Sequence, residues 1–187
     1  MEVEIEVFER KSQNKGDIKR LRRENKVPVV IYSQGKEGEN GTITKESFDA
    51  VLRDLEQGFL PSTIFVLKTK SGKKRKAIIK DIQYDVTSYN VLHIDFLELV
   101  DGQEVSLNIP LQCLGEADCV GVKGGGYLRP MMRHVKVKCL PKYIPESFQI
   151  DIRDLDIRQN KRVSDIKFPE HVTSLVRPEE VVATIVK

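Results

Sequence analysis

The stretch RKSQNKGDIKRLRRENKVPVVIY at residues 10–32 carries the strongest structural signal in the chain. Its first part is polar and basic, while its end, VPVVIY, has the apolar, β-branched composition of a buried strand. Gly16 predicts a break in the basic part, after which Asp17 is placed to cap a short helical turn. That turn would hold Ile18 and Leu21 inward. The pattern therefore predicts a basic loop and turn that lead into a core strand.

Strand patterns flank this stretch on both sides. At residues 1–9, MEVEIEVFE alternates apolar residues with glutamates, which predicts a half-buried strand with one acidic face. At 91–99, apolar residues share one face and His93 and Asp95 share the other. Two β-rich runs, 62–69 and 76–86, are joined by Ser71-Gly72 and predict a hairpin.

One helix is predicted in this half, between two turn-rich segments. Residues 44–57 place apolar side chains at helical spacing, with Thr44 as the cap and Gly58 as the stop. Residues 33–41 read as a loop.

The second half predicts a further β-rich domain. We place the domain boundary between residues 99 and 100, beside the Asp101-Gly102 turn, so that the domains are 1–99 and 100–187. GVKGGG at 121–126 is typical of a loop or wide turn, and prolines separate the short apolar runs that follow. The fold class is therefore mostly β with a few helices. The predicted strands of this half are 104–111, 135–139, 147–152, 162–166 and 181–186.

Basic residues are concentrated in two segments of a chain whose formal net charge is only +3. Residues 10–26 hold eight basic and two acidic side chains, and residues 68–80 hold seven basic and no acidic ones. Such density favours a site for a polyanion, and arginine binds phosphate through two donors at once. On the hairpin at 68–80, lysines that protect a strand edge are an equally good explanation. The candidates in the first segment are Arg10, Lys11, Lys15, Lys19, Arg20, Arg22 and Arg23.

Other features argue against secretion, membrane insertion and catalysis. The odd number of cysteines, without CxxC spacing, fits a reducing cytoplasm, and the acidic start is unlike a signal peptide. No apolar run approaches the roughly 20 residues of a membrane span. No HExxH, GxSxG or Walker pattern is present. A metal site from Cys113, Cys119, Cys139 and His134 would match no common zinc spacing, and a hydrolase using Cys119 or His134 lacks an orienting group.

Three motifs in order resemble a known family: the stretch at 10–32, KDIQY at 80–84 and HIDFLEL at 93–99. Together they are similar to the bacterial large-subunit ribosomal protein family that binds 5S ribosomal RNA. The segments IPL, GVKGGG, LPKYIPE and DI-x-x-L of the second half are similar to the extra domain of its long, two-domain general-stress (CTC-type) form. The resemblance spans nearly the whole chain.

This resemblance implies a six-stranded β-barrel as the N-terminal, RNA-binding domain, followed by a β-rich domain, with no catalysis and no cofactor. It implies a cytoplasmic, ribosomal protein that binds the irregular internal loop (loop E) of 5S RNA and the adjoining helix. Lys19 stands where the family often has arginine, Asn14 stands where glycine is common, and 158–166 lacks the usual glycine-bearing turn. The implied RNA contacts are Arg10, Lys15, Lys19, Arg20, Arg22, Tyr32, Gln83, His93 and Asp95.

Two partner questions stay open at this point. The second half is electrically neutral, with 13 basic and 13 acidic residues after position 95. A stress-response interaction protein that acts off the ribosome through this half is therefore an alternative. On the ribosome, the same half is expected to meet a neighbouring protein or a distant RNA surface. Its compact basic and apolar patch is formed by Arg129, Met131, Met132 and Arg133. The alternative explanation of this patch is the entry to a strand, with one methionine in the core.

Overall fold

The computed structural model describes residues 2–10, 14–33, 38–56, 58–69 and 72–187. Predictions that involve Lys11, Gln57 and Ser71 lie outside these residues. The chain divides into two compact units, 1–103 and 104–187. The predicted domain boundary lies a few residues before this division.

The first unit is a closed barrel of six strands in the order β1-β3-β2-β6-β5-β4, as the resemblance implies. β1 runs parallel to β4, β2 runs parallel to β6, and the remaining neighbours are antiparallel. Each of the six strands therefore has a hydrogen-bonded neighbour on both sides. Its elements are β1 (Glu2–Glu9), α1 (Lys15–Arg23), β2 (Lys26–Tyr32), β3 (Glu39–Thr44), α2 (Lys45–Asp54), β4 (Ile64–Thr69), β5 (Lys74–Tyr84) and β6 (Val91–Glu98).

The barrel interior is filled by the apolar half of each alternating strand. Phe65 and Phe96 meet edge to face at 5.7 Å between ring centroids, and both rings are fully buried. Ile5 and Val7 of β1 and Ile94 of β6 join the same core. The predicted two-faced strands at 1–9 and 91–99 are therefore confirmed.

The basic segment differs from its prediction at its start. α1 begins at Lys15 with Asn14 as the flanking residue, so Asp17 lies in the first turn and Gly16 is helical. A carboxylate in the first turn interacts favourably with the helix dipole, which explains Asp17 without a capping role. Ile18 and Leu21 are half-buried on the inner side, as predicted.

The predicted loop at 33–41 was wrong for its last three residues, which begin β3. This strand, ENGTIT, shows weak apolar alternation but pairs with β2 along its whole length and with β1 near Thr42. Gly41 is buried there, and a Cβ at this position would lie 2.7 Å from Cγ1 of Val7. The helix that follows is confirmed, with Thr44 as its flanking residue, but it ends at Asp54.

The second unit contains two sheets, one with strand order β10-β7-β9-β12 and one with order β11-β13-β8. β7 and β9 are antiparallel neighbours at the centre of the first sheet. The elements are β7 (Val105–Leu114), α3 (Val120–Lys123), β8 (Tyr127–Pro130), β9 (His134–Cys139), β10 (Phe148–Asp151), β11 (Asn160–Arg162), β12 (Val172–Ser174) and β13 (Val181–Val186).

Two predictions in this unit need correction, and the turn without glycine at 158–166 has a structural explanation. Residues 163–165 form a short 3-10 helix, so the strand predicted at 162–166 was wrong. GVKGGG is not an open loop: α3 includes Gly121, where a Cβ would meet backbone of Asp156 at 2.9 Å. The turn without glycine is made by Arg158 itself, in the left-handed region at a φ of 67°.

Candidate nucleic-acid interface

The outer face of β5 and β6 carries a row of polar side chains. Gln83 lies opposite His93 in the antiparallel register, and Asp81 lies opposite Asp95. The neighbouring residues Ile94 and Phe96 point into the barrel, so alternation turns His93 and Asp95 outward. We call Gln83, His93, Asp95 and the adjacent Tyr32 the polar strip.

His93 is held by Asp95 within the same strand. Their Nδ1 and Oδ1 atoms are 2.7 Å apart, and the side chains are 21% and 34% exposed. Because a carboxylate only accepts, Nδ1 carries the proton and donates to Asp95. In the neutral ring this leaves Nε2 as an acceptor. The pair therefore fixes the orientation of the ring and, while the ring is neutral, its tautomer.

Tyr32 extends the polar strip from β6 to β2. It lies at the end of β2, where it pairs with Leu97. Burial raises the pKa of its phenol, and the negative charges of Asp95 and Asp81 raise this pKa further. The phenol therefore lies within electrostatic reach of both carboxylates and stays a neutral donor at physiological pH.

Arg22 connects helix α1 to β6 beside the polar strip. Its Nε and Nη2 atoms donate to the backbone carbonyl of Leu92 at 3.2 and 2.9 Å. Leu92 directly precedes His93, so this fork holds α1 beside the polar strip. The sequence predicted Arg22 as an RNA contact but contained no signal for this docking role.

The other cations of α1 lie on its exposed side. Lys15, Lys19 and Arg20 are all exposed. Arg20, with 69% of its side chain exposed, pairs with Asp17 at 3.3 Å and with Glu24 at 3.8 Å. Such surface pairs are weak, so a phosphate can replace them at little cost.

Arg10 directly follows the last residue of β1. Its Nη2 atom donates to Oδ1 of Asn40 at 3.2 Å, and its backbone N–H donates to the Asn40 carbonyl at 3.0 Å. The half-buried guanidinium lines a cavity of about 400 Å³ together with Glu39 and Arg75. The structure thus places α1 beside the strip and places Arg10 just after β1, against β3.

The second basic segment is matched by the acidic face of β1. Lys68 and Lys74 both pair with Glu4, and their hydrogen bonds lower the pKa of that carboxyl. Lys76 pairs with Glu2 in the same way. The glutamates of β1 therefore offset part of the positive charge of this segment, which makes it a weaker candidate for a polyanion than α1.

Sequence reasoning missed the loop that joins β5 to β6. This loop exposes Tyr89, and Tyr84 at the end of β5 is exposed as well. The only local signal was Asp85 followed by Thr87 and Ser88, whose pattern is typical of a turn closed by an aspartate side chain.

The catalytic and metal alternatives find no support in the described residues. Cys119 is buried, and its thiol donates to the carbonyl of Leu155 at 3.2 Å. Burial raises the pKa of Cys113 and of Cys139, which disfavours the reactive thiolate. Across the described ranges, no group of three or more His, Cys, Asp or Glu side chains is placed to hold a metal ion. No helix within them is long and apolar enough to cross a bilayer.

Comparison with known proteins decides the family. Residues 5–96 match the model of the ribosomal L25p family, and residues 104–187 match the C-terminal domain of ribosomal protein TL5. The large ribosomal subunit protein bL25 of Chlamydia muridarum is 42% identical over 185 residues, which is 99% of this chain and 100% of the relative. The chain belongs to the bL25 family.

Other bL25 proteins show the same full-length similarity. That of Chlamydia trachomatis serovar D is 42% identical over 185 residues, covering 99% of this chain and 100% of the relative. That of Chlamydia pneumoniae is 40% identical over 183 residues, covering 98% of each chain. The protein is thus a two-domain, CTC-type bL25 and a non-enzymatic constituent of the large ribosomal subunit, which places it in the cytoplasm.

Proposed function

We propose that the first unit of this bL25 protein binds 5S ribosomal RNA, at the irregular internal loop (loop E) and its adjoining helix. The observation that carries the proposal is the Arg22 fork, which holds a basic helix directly beside the polar strip. One surface then combines groups for phosphates with groups for base edges. This combination suits a structured RNA better than a general polyanion.

The target follows from the geometry of RNA. A regular A-form duplex hides its base edges in a deep and narrow major groove, so side chains reach bases only where the helix is irregular. The polar strip is short and runs across adjacent strands, which fits one distorted groove rather than a long duplex. Recognition is therefore by shape, with sequence read at a few positions.

The two parts of the surface have different tasks. Lys15, Lys19 and Arg20 neutralise phosphates and set the register of the RNA. Gln83, Tyr32 and the His93–Asp95 pair offer donors and acceptors to base edges and ribose hydroxyls. Asp95 and Asp81 repel phosphates, so the strip favours a groove that presents amino groups instead.

Arg10 contributes from the end of β1. Its half-buried guanidinium is oriented by Asn40, which leaves a pre-arranged cation at the end of β1. A phosphate of the adjoining helix is the ligand that this geometry suits, because arginine binds phosphate oxygens at fixed angles.

For the second unit, we propose contact with a neighbouring protein or RNA surface on the assembled subunit. Its patch begins in β8, at the edge of the three-stranded sheet, and continues into the three residues after Pro130. Met131 is 56% exposed and Arg129 and Arg133 are also exposed, whereas Met132 is half-buried. Methionine adapts to irregular surfaces and arginine is favoured at interfaces.

A gel-shift comparison tests the main proposal. The full-length protein is titrated against 5S RNA and against a variant in which Watson–Crick pairs replace the irregular loop. We expect clear preference for the native RNA. Equal affinity for both RNAs would mean that the surface binds RNA through charge alone, which would contradict the proposal.

A further inference from the structure

The loop between β5 and β6 is held rigid by one carboxylate. Oδ1 of Asp85 accepts hydrogen bonds from the N–H and the hydroxyl of Thr87 at 3.0 and 2.7 Å, and from the N–H of Ser88 at 2.9 Å. These bonds hold the pKa of Asp85 well below its usual range. Backbone bonds from Asp85 N–H to Asn90 and from Tyr89 N–H to Asp85 close the loop at 2.8 and 2.9 Å.

Within this loop, Tyr89 has an unfavourable backbone conformation. Its φ is 54°, in the left-handed region that costs a non-glycine residue free energy, and it is 79% exposed. Glycine would relieve that cost. An exposed ring in such a position contributes little to the core, so neither folding nor backbone geometry explains a tyrosine there.

The loop stands beside the proposed RNA surface. Tyr84 pairs with Val91 after a register shift at Gln83, so the loop continues directly from the strip. Nζ of Lys45 donates to Oδ1 of Asn90 at 2.8 Å, and Arg22 binds the carbonyl of Leu92. The base of the loop is thus tied to α1 and to α2.

We propose that Tyr89 stacks on an unpaired nucleobase of the bound RNA, an inference that rests on the proposed function. Irregular RNA presents unstacked bases, and the flat, uncharged phenol ring stacks on any of them. Its rigid support lowers the entropy lost on binding. The nearby cations bring the RNA backbone to this end of the barrel, and the single ring extends recognition to a base.

Paired substitutions separate stacking from folding. Tyr89→Gly removes the ring and relaxes the backbone, so it should raise the melting temperature while weakening 5S RNA affinity about tenfold, the range of one base–aromatic stack. Tyr89→Phe keeps the ring and should bind as the wild type does. Tyr127→Ala, which removes a 56% exposed ring from the second unit, should not change affinity for free RNA.

The salt dependence of RNA affinity distinguishes stacking from a phosphate contact. Because stacking releases no counterions, Tyr89→Gly should leave the slope of log affinity against log salt unchanged. A lowered slope would assign Tyr89 to the backbone and overturn the inference. Unchanged affinity for free RNA with weaker incorporation into depleted subunits would assign it to a protein neighbour, with the same consequence.

A fluorescent probe tests the stack directly. The chain contains no tryptophan, so Tyr89→Trp introduces a single indole. We expect 5S RNA to quench its emission, and unchanged emission when the protein is saturated with RNA would overturn the inference.

The failure of this inference and the failure of the proposed function have different outcomes. If His93→Ala weakens binding and Tyr89→Gly does not, only the stacking inference fails. If the wild type shows no preference for 5S RNA, the proposed function fails and the inference fails with it.

Discussion

Nδ1 of His93 lies 2.7 Å from Oδ1 of Asp95, two residues along the same outward face of β6. This contact explains why a carboxylate occurs inside a surface proposed for RNA. Asp95 orients the imidazole and leaves Nε2 as an acceptor while the ring is neutral. The carboxylate therefore serves the part of the surface proposed to read bases, although its charge repels phosphates.

We first predict that His93→Ala removes discrimination between RNAs. Loss of a base-edge contact should weaken binding to native 5S RNA by about 1–3 kcal/mol and barely affect a plain duplex. Asp95→Asn should cost less, because the amide oxygen still accepts from Nδ1. Equal losses on both RNAs would contradict the assignment, and thermal unfolding of each variant controls for folding.

Arg20→Ala is expected to act through charge alone. About four to six phosphate contacts give the wild type a slope of log affinity against log salt near −3 to −5, and the variant should make that slope shallower by roughly one contact. Affinity for native RNA and plain duplex should fall in equal proportion. A loss confined to native RNA would show that Arg20 contacts a base.

Arg22→Lys should weaken the packing of α1 against β6. Lysine cannot reproduce the two-donor fork on the Leu92 carbonyl, so α1 should lose about 0.5–1.5 kcal/mol of docking stability. Hydrogen exchange should accelerate at the amides of α1 but not at those of α2, which serves as the internal control. Unchanged exchange in α1 would mean that other contacts hold the helix.

The pKa of Tyr32 reports the geometry of the strip. Because Asp95 contributes to raising this pKa, Asp95→Asn should lower it towards its usual value, although burial keeps it raised. Because the unfolded state ionises at a lower pH than the folded state, the free energy of unfolding is highest below the ordinary tyrosine pKa near 10. It falls as the pH rises from there through the folded pKa. Ultraviolet titration of tyrosinate, with Tyr32→Phe as the reference, measures the shift. An unchanged titration would place the phenol away from Asp95.

The first unit alone should bind 5S RNA as the full chain does. Residues 1–103 form one compact unit that contains α1 and the whole strip. The isolated unit should therefore fold and match the full-length affinity on free RNA. On subunits depleted of the protein, the full chain should bind more tightly. A gain of tenfold or more on free RNA would place the second unit on 5S RNA and contradict its proposed role.

Strong local patterns predicted much of the fold. The alternation at 91–99 and the helical spacing at 44–57 both correspond to real elements, because burying one face requires those periods. β3 escaped prediction because its backbone is stabilised by two neighbouring strands and not by its own apolar pattern. The strand predicted at 162–166 failed because Asp165 accepts from the Arg162 N–H at 2.9 Å, which favours a 3-10 turn.

In the candidate site, too, neighbouring residues predicted some features, whereas other contacts depend on residues far apart in the sequence. The basic density of 10–26 and the outward placement of His93 and Asp95 follow from neighbours in sequence, since side chains alternate along every strand. Which charges meet depends on strand register across the closed barrel. Lys74 reaches Glu4 because β4, which pairs with β5, also runs parallel to β1. That contact joins residues 70 positions apart, and no local period encodes it.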